Sequence, residues 1–96
     1  MKTIKIFDFV GAFAENKDIA RSIRIEQIEP AIRSGKDVVL DFSGVDSTTQ
    51  SFIHALISEL YREYGERVLD IVSFKNCNQI IQKVIGIVID YMQQSN

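Results

Sequence analysis

The spacing of apolar and polar residues along the chain predicts three strands and three helices in alternation. The predicted strands are Thr3–Phe9, Val38–Phe42 and Val68–Phe74, each short and rich in β-branched or aromatic residues. Each of them precedes a segment in which apolar residues recur at helical spacing. The order β, α, β, α, β, α favours an α/β layer fold with right-handed crossovers.

The first predicted helix begins at Lys17, because Asn16 is a good helix cap and Asp18 lies in the first turn. Pro30 removes a backbone donor and disfavours helical geometry at the preceding residue, so we expect a kink or break near Gln27–Pro30. The helix is expected to end at Ser34-Gly35. Its core-facing stripe is Ile19, Ile23, Ile28 and Ile32.

The other two helices each follow a segment with capping-box spacing. Ser47 and Gln50 have this spacing before a helix that should end at Gly65, and Asn76 and Gln79 have it before the last helix. The apolar stripes are Phe52, Ile53, Leu56, Ile57, Leu60 and Tyr64 in the first of these helices, and Ile80, Ile81, Val84, Ile85, Val88 and Met92 in the second.

The last helix contains more apolar residues than one face requires. Ile85–Ile89 holds no charged residue, and Ile87 and Tyr91 lie off the main stripe. An apolar helix of this kind is usually buried within its own domain, which is the interpretation we prefer. The alternative is a homodimer formed through this C-terminal helix, since contiguous exposed apolar residues indicate a partner.

Val38–Phe42 is almost wholly apolar, and it is predicted to be the central strand. Near-continuous apolarity is typical of a parallel or mixed sheet with both faces covered by helices. Three strands are clear in the sequence.

Composition limits the functional classes. A length of 96 residues fits a single domain spanning 1–96, and the net charge of −2 gives no support for a nucleic-acid partner. The single cysteine, Cys77, cannot form an intrachain disulfide. No signal peptide or membrane-spanning segment is recognisable, so the sequence is typical of a soluble cytoplasmic protein.

The hydroxyl-rich stretch before the second helix is the best candidate site. Backbone N–H groups and the helix dipole favour negative charge at such a position. Ordinary helix capping, with Ser47 as the cap, is the simpler interpretation of Ser47, Thr48, Thr49 and Ser51. Phosphorylation is the alternative, and Ser51 is its best position.

The residues typical of catalysis do not form a recognisable group. Asp41 and Asp46 have no histidine or third carboxylate at ligand spacing, and they are expected to be structural. His54, the only histidine, follows Ser51 by three residues, which does not match a known nucleophile geometry. Cys77 is expected to be a small packed side chain. We therefore expect no enzyme activity, no metal and no cofactor.

The segment Leu40-Asp41-Phe42-Ser43-Gly44-Val45, followed by hydroxyls and an apolar helix, resembles the STAS domain. STAS domains include anti-sigma factor antagonists and cytoplasmic domains of sulfate transporters. Their D-S-S-G element aligns with Thr49–Phe52, which places Gln50 at the family's phosphorylated serine and Ser51 at the second serine. The T-x-S-F element at this place is closer to the STAS-like branch of unknown function, DUF4325.

The resemblance implies a small STAS-like α/β domain, with a mixed, mostly parallel sheet of three to four strands and helices packed mainly on one face. Its fourth strand would lie in Val10–Ala14 or be absent. It also implies a non-enzymatic regulatory module of bacterial signalling, whose partner is a histidine-kinase-type ATPase regulator. An alternative is a STAS-like module that binds a nucleotide or an anion. The partner-binding or modification residues would be Asp46, Ser47, Thr48, Thr49, Gln50, Ser51, Phe52 and His54.

Overall fold

The centre of the computed structural model, which describes residues 1–94, is a sheet of three parallel strands. These are β1 (Lys2–Lys5), β3 (Val38–Asp41) and β5 (Val72–Lys75), and β3 lies in the middle. A second parallel pair joins β2 (Phe13–Ala14) to β4 (Ser47–Thr48). The fourth strand therefore does lie within Val10–Ala14, but it belongs to a separate small sheet.

Six α-helices of residues 1–94 connect and cover the strands. They are α1 (Phe7–Val10), α2 (Lys17–Ile23), α3 (Glu29–Arg33), α4 (Gln50–Tyr64), α5 (Val68–Ile71) and α6 (Gln79–Gln94). The central helix, α4, packs against both α2 and α6. Gly65 is the C-cap of α4, as predicted, and a 3-10 turn, Gly65–Arg67, follows.

The two faces of the three-stranded sheet differ in burial. Side chains alternate along each strand, and the register aligns Ile4 with Leu40 on one face and both Lys5 and Lys75 with Asp41 on the other. Ile4 and Leu40 are buried, whereas Lys5 and Lys75 are exposed. The predicted packing of helices mainly on one face is confirmed. The expectation that both faces are covered holds for β3, where Val39 is buried on the second face, but it is wrong for β1 and β5, which place exposed polar residues there.

Two predicted strands are shorter than expected. Thr3–Phe9 contains β1, but the chain turns into α1 at Phe7. Ile6 still donates its N–H to the Asp41 carbonyl, and its own carbonyl then accepts from Phe9 and Val10, which begins a helical turn. Val68–Phe74 likewise begins as α5 and becomes strand only at Val72.

The predicted interruption near Pro30 is confirmed. A π-helical segment, Arg24–Ile28, joins α2 to α3 immediately before Pro30. Proline lacks an N–H and its ring clashes with the carbonyl four residues earlier, so a local change of helical register accommodates it. Asn16 caps α2 as predicted, since its side-chain oxygen accepts from the N–H groups of Asp18 (2.9 Å) and Ile19 (3.2 Å).

Candidate functional site

The segment from Asp46 to Thr49 is held in place by the chain on both sides. The N–H of Asp46 donates to the Ala12 carbonyl at 2.7 Å, and the Asp46 carbonyl accepts from Asn78 Nδ2 at 2.8 Å. Thr48 is buried, and its hydroxyl donates to the Ala14 carbonyl at 2.8 Å. The predicted loop is therefore partly strand, and its backbone is fixed relative to the start of α4.

Thr49, and not Ser47, caps α4. Its hydroxyl oxygen accepts from the N–H of Phe52 at 3.1 Å, and its carbonyl accepts from the N–H of Ile53 at 3.2 Å. The Ser47–Gln50 capping box is wrong because pairing with β2 draws Ser47 into β4. The predicted Asn76 cap of α6 is also wrong. Asn78 is the cap, because its Oδ1 accepts from the N–H of Ile81 at 2.9 Å, whereas the side chain of Asn76 bonds to Asp41.

The side chains predicted for partner binding separate into three groups by burial. Thr48 and Phe52 lie inside the domain, where they support the surface and do not form it. Ser47 is half-buried within β4. The exposed members are Asp46, Thr49, Gln50, Ser51 and His54.

Gln50, Ser51 and His54 line a groove along the exposed side of α4. Its first part has a volume of about 400 Å³. The remaining walls of this part come from the start of α2 and from α6. They are formed by Lys17 of α2 and by Val88 and Tyr91 of α6, and Ala55 of α4 lines the same part.

The groove continues along α4 toward α2 as a wider depression of about 850 Å³. The two parts share Lys17, His54 and Ala55, so they form one surface, which we call the α4 groove. Small residues form its floor on α4, namely Ala55 and Ser58, while charged side chains of α2 form its rim. The recess forms because the side chains of Ala55 and Ser58 on α4 are shorter than the side chains around them on α2 and α6.

Arg24 fixes one wall of the groove. Its Nε donates to the Ala55 carbonyl at 3.2 Å, and its Nη1 forms an ion pair with Glu29 at 2.7 Å. Within residues 1–94, Lys17 and Arg21 form no ion pair. These two cations are therefore available to an acidic group from outside, and they lie in the groove with Asp18, whose carboxylate also forms no ion pair within residues 1–94.

Asp41 connects the ends of β3 and β5. Its Oδ1 accepts from Asn76 Nδ2 at 3.0 Å, from the Ser43 hydroxyl at 2.7 Å and from the Ser43 N–H at 2.9 Å. These hydrogen bonds lower the pKa of Asp41 to about 2, and the bond from Asn76 contributes most. Asp41 is thus a structural residue at a strand end, as predicted, and it positions the turn that leads toward α4.

Gly44 in this turn is required for two reasons. Its φ is +82°, which side chains rarely adopt, and an added Cβ would lie 3.1 Å from the Phe7 ring. Phe7 thereby packs on the turn and links α1 to the segment that precedes the groove.

Cys77 is half-buried, and burial raises the pKa of its thiol to about 11, with a contribution from the charge of Asp41. A thiol that stays protonated at neutral pH is a weak nucleophile. Its Sγ–H donates to the Lys75 carbonyl at 3.7 Å. The prediction of a small packed side chain agrees with this placement.

Two residues of the α4 groove, and an exposed residue beside Ser47, were not predicted from the sequence. Lys17 and Tyr91 line the groove but are distant from α4 in the chain, so no local pattern indicates them. Phe13 is 61% exposed and pairs in register with Ser47, next to the predicted segment. The one sequence feature that could have indicated an exposed Phe13 is the recurrence of phenylalanine at 7, 9 and 13, in a segment whose pattern predicts strand and turn.

Among residues 1–94, no group of three or more His, Cys, Asp or Glu side chains is arranged to hold a metal ion. None of the helices in this part of the chain has the length and apolar character needed to cross a membrane.

A parallel sheet with helices on one face, and a groove beside the start of its central helix, defines a small α/β domain of the STAS-like class. A family model described as STAS-like domain of unknown function (DUF4325) matches residues 20–82. This is more than half of the chain, and the protein belongs to that family. Comparisons with curated proteins and with solved structures give no match.

Proposed function

We propose that this domain is a non-enzymatic regulatory module that binds another protein through the α4 groove and the adjoining start of α4. The observation that carries the proposal is the convergence of Gln50, Ser51 and His54 in one groove with Lys17 and Tyr91. Three residues proposed from the sequence and two distant ones thus form a single surface.

The shape and chemistry of the groove fit a protein segment. The part near α6 offers apolar contacts from Val88 and Tyr91, and the part near α2 offers the cations Lys17 and Arg21. Aromatic anchors and charge complementarity are the usual sources of affinity and specificity at interfaces. Because this chain resembles anti-sigma factor antagonists, the proposed partner is a histidine-kinase-type ATPase regulator of bacterial signalling.

Modification of Ser51 would change this surface directly. Its side chain is exposed in the first turn of α4, and it lines the groove. A phosphate there would add up to about two negative charges beside Lys17 and the N–H groups of the helix start. We propose Ser51 as the control point, since Gln50 carries no hydroxyl.

Affinity capture of the tagged protein from its native host, with mass spectrometry of bound proteins, tests the binding function. We expect a stoichiometric ATPase or kinase-like partner that His54→Glu and Ser51→Asp each release by at least about tenfold, since each places a charge in the interface. Glu63→Ala is the matched control, because Glu63 is exposed on α4 outside the groove. A partner retained by both groove variants would contradict the proposed surface.

A second candidate is binding of a nucleotide or a small anion. It is favoured by Lys17, which lies in the same part of the groove as the first residues of α4. Thermal melting with added phosphate or ATP distinguishes it, because a ligand that binds the folded state raises Tm. A rise in wild type that Lys17→Ala abolishes would support this function, and an unchanged Tm would argue against it.

A further inference from the structure

A second apolar stripe on α6 remains exposed after the domain has folded. One stripe, Ile81, Ile85, Val88 and Met92, is buried. Beside it, Ile80 is 59%, Ile87 43% and Tyr91 67% exposed, with Val84 half-buried between them. The steps of four, three and four residues along Ile80, Val84, Ile87 and Tyr91 are those of a coiled-coil seam.

The charges beside the seam are self-complementary. Lys83 and Asp90 both border the exposed stripe, and within residues 1–94 neither forms an ion pair. They lie seven positions apart, and the midpoint between them falls at Gly86–Ile87. A two-fold axis at this midpoint would place Lys83 of each copy beside Asp90 of the other.

We propose that the occupant of this seam is a second copy of the chain, with the two α6 helices packed antiparallel about a two-fold axis between Val84 and Ile87. The interface is isologous: Val84 of each copy approaches Ile87 of the other, Ile80 approaches Tyr91, and two Lys83–Asp90 pairs close the sides. This proposal is independent of the proposed partner function.

The dimer is expected to be reversible. A single pair of helices buries less surface than most stable protein interfaces, so the association should be weak. Tyr91 belongs both to the seam and to the α4 groove. Self-association would therefore compete with any partner that contacts Tyr91.

Sedimentation velocity of the full chain, from roughly 10 μM to roughly 1 mM, tests the proposal. We expect the mass to rise from the 10.9 kDa of one chain toward twice that value. Ile87→Asp should abolish the rise while circular dichroism stays unchanged, because Ile87 is substantially exposed. Lys36→Asp, at an exposed position remote from α6, is the matched charge control and should dimerise like wild type.

Charge reversal tests the antiparallel geometry. Lys83→Asp alone places like charges at both pairs, and so does Asp90→Lys, so each should weaken the homodimer by at least about tenfold. An equimolar mixture of the two variants should form a heterodimer, because every pair is then opposite in charge. The double variant carrying both reversals should recover wild-type association.

Several outcomes would overturn the proposal. One is a wild-type protein that stays monomeric across the whole concentration range, and another is a dimer that persists in folded Ile87→Asp protein. A mixture of the two charge variants that stays monomeric would overturn the antiparallel arrangement. The charge variants alter exposed side chains only, so they remain informative if Ile87→Asp fails to fold.

Discussion

The two long helices α4 and α6 use apolar residues in different ways. Both follow a strand, both are capped by a polar side chain, and they contain 15 and 16 residues. α4 buries six apolar residues, and none of the large exposed hydrophobic side chains in residues 1–94 belongs to it. α6 buries four and exposes three, although its pattern is the more apolar of the two.

The difference comes from their neighbours. α4 packs against helices on two sides, α2 and α6, so its apolar residues are covered and only short or polar ones face the groove. α6 packs against α4 and β4, and no helix of the described residues covers its other side. Periodicity thus shows that a helix has an apolar face, whereas the surrounding elements decide how much of that face is buried.

The largest expected effect is the difference in stability loss between substitution of a buried residue of α4 and substitution of an exposed residue of α6. Leu56→Ala should lower the free energy of unfolding by about 2–5 kcal/mol, because Leu56 is fully buried. Ile87→Ala should change it by less than about 0.5 kcal/mol, since Ile87 lies at the surface. Urea denaturation of dilute protein measures both. Equal losses would contradict the contrast between the helices.

The cap of α4 should give the next largest effect. Thr49→Ala removes the acceptor of the Phe52 N–H and should cost about 1 kcal/mol. Ser47→Ala is the matched control and should cost less than about 0.5 kcal/mol, because its hydroxyl forms no hydrogen bond in residues 1–94. If chemical denaturation showed a larger loss for Ser47→Ala than for Thr49→Ala, it would support the Ser47–Gln50 capping box that the sequence predicts.

Gly86→Ala should stabilise the monomer and leave the proposed dimer unchanged. In dilute protein it should raise the free energy of unfolding by about 0.5–1 kcal/mol, since a Cβ fits without contact. In concentrated protein self-association should stay at the wild-type level, because Gly86 lies on another side of α6 from the seam. Thermal melting and sedimentation on the same samples measure the two effects, and a weaker dimer would argue against the proposed seam.

The smallest effect should come from Asp41, which joins the segments leading toward the two helices. Its pKa in the folded state, about 2, lies below the ordinary value of 3.8, so its contribution is complete above about pH 4. The contribution is lost as pH falls through about 2, and since Asp41 is partly exposed we expect less than about 1 kcal/mol.

Acid titration of stability checks this sign. Asp41→Asn should flatten the loss of stability between about pH 4 and about pH 2. Asp46→Asn should keep the wild-type profile, because the Asp46 carboxylate accepts no hydrogen bond in the described residues. A steep acid loss retained by Asp41→Asn would show that other carboxylates dominate.

The sequence predicted elements whose signal is local and long. β3 and the two long helices follow directly from continuous or periodic apolar residues, and the change of helical register before Pro30 follows from the chemistry of proline. The parallel order of the strands followed from their alternation with helices. These features need no knowledge of distant contacts.

The features that the sequence did not predict depend on pairing between distant residues. The cap of α4 shifted from Ser47 to Thr49 because Phe13 and Ala14 pair with Ser47 and Thr48. α1 spans four residues, which is too short for helical and strand periods to be distinguished. Similarly, the prediction that α6 is buried within the domain is wrong for Ile87 and Tyr91, because this depends on which elements lie beside the helix.

Only part of the candidate site was predicted, because the rest of it consists of residues that are distant in the chain. Ser51 and His54 share one side of a helix, and their spacing was visible in the sequence. Lys17 and Tyr91 reach the groove from α2 and α6, so only the fold brings them there. The sequence therefore indicated one wall of the groove.

The parallel pairing of the strands has a consequence for how the chain reaches this fold. Lys2 pairs with Val38, Val38 pairs with Val72, and Phe13 pairs with Ser47, so every strand contact joins segments separated by at least one helix. No hairpin can form early as a local nucleus, and β1 and β5 both depend on β3. Refolding should be slow for a chain of this length, and sheet and helix packing should appear together in a single kinetic phase.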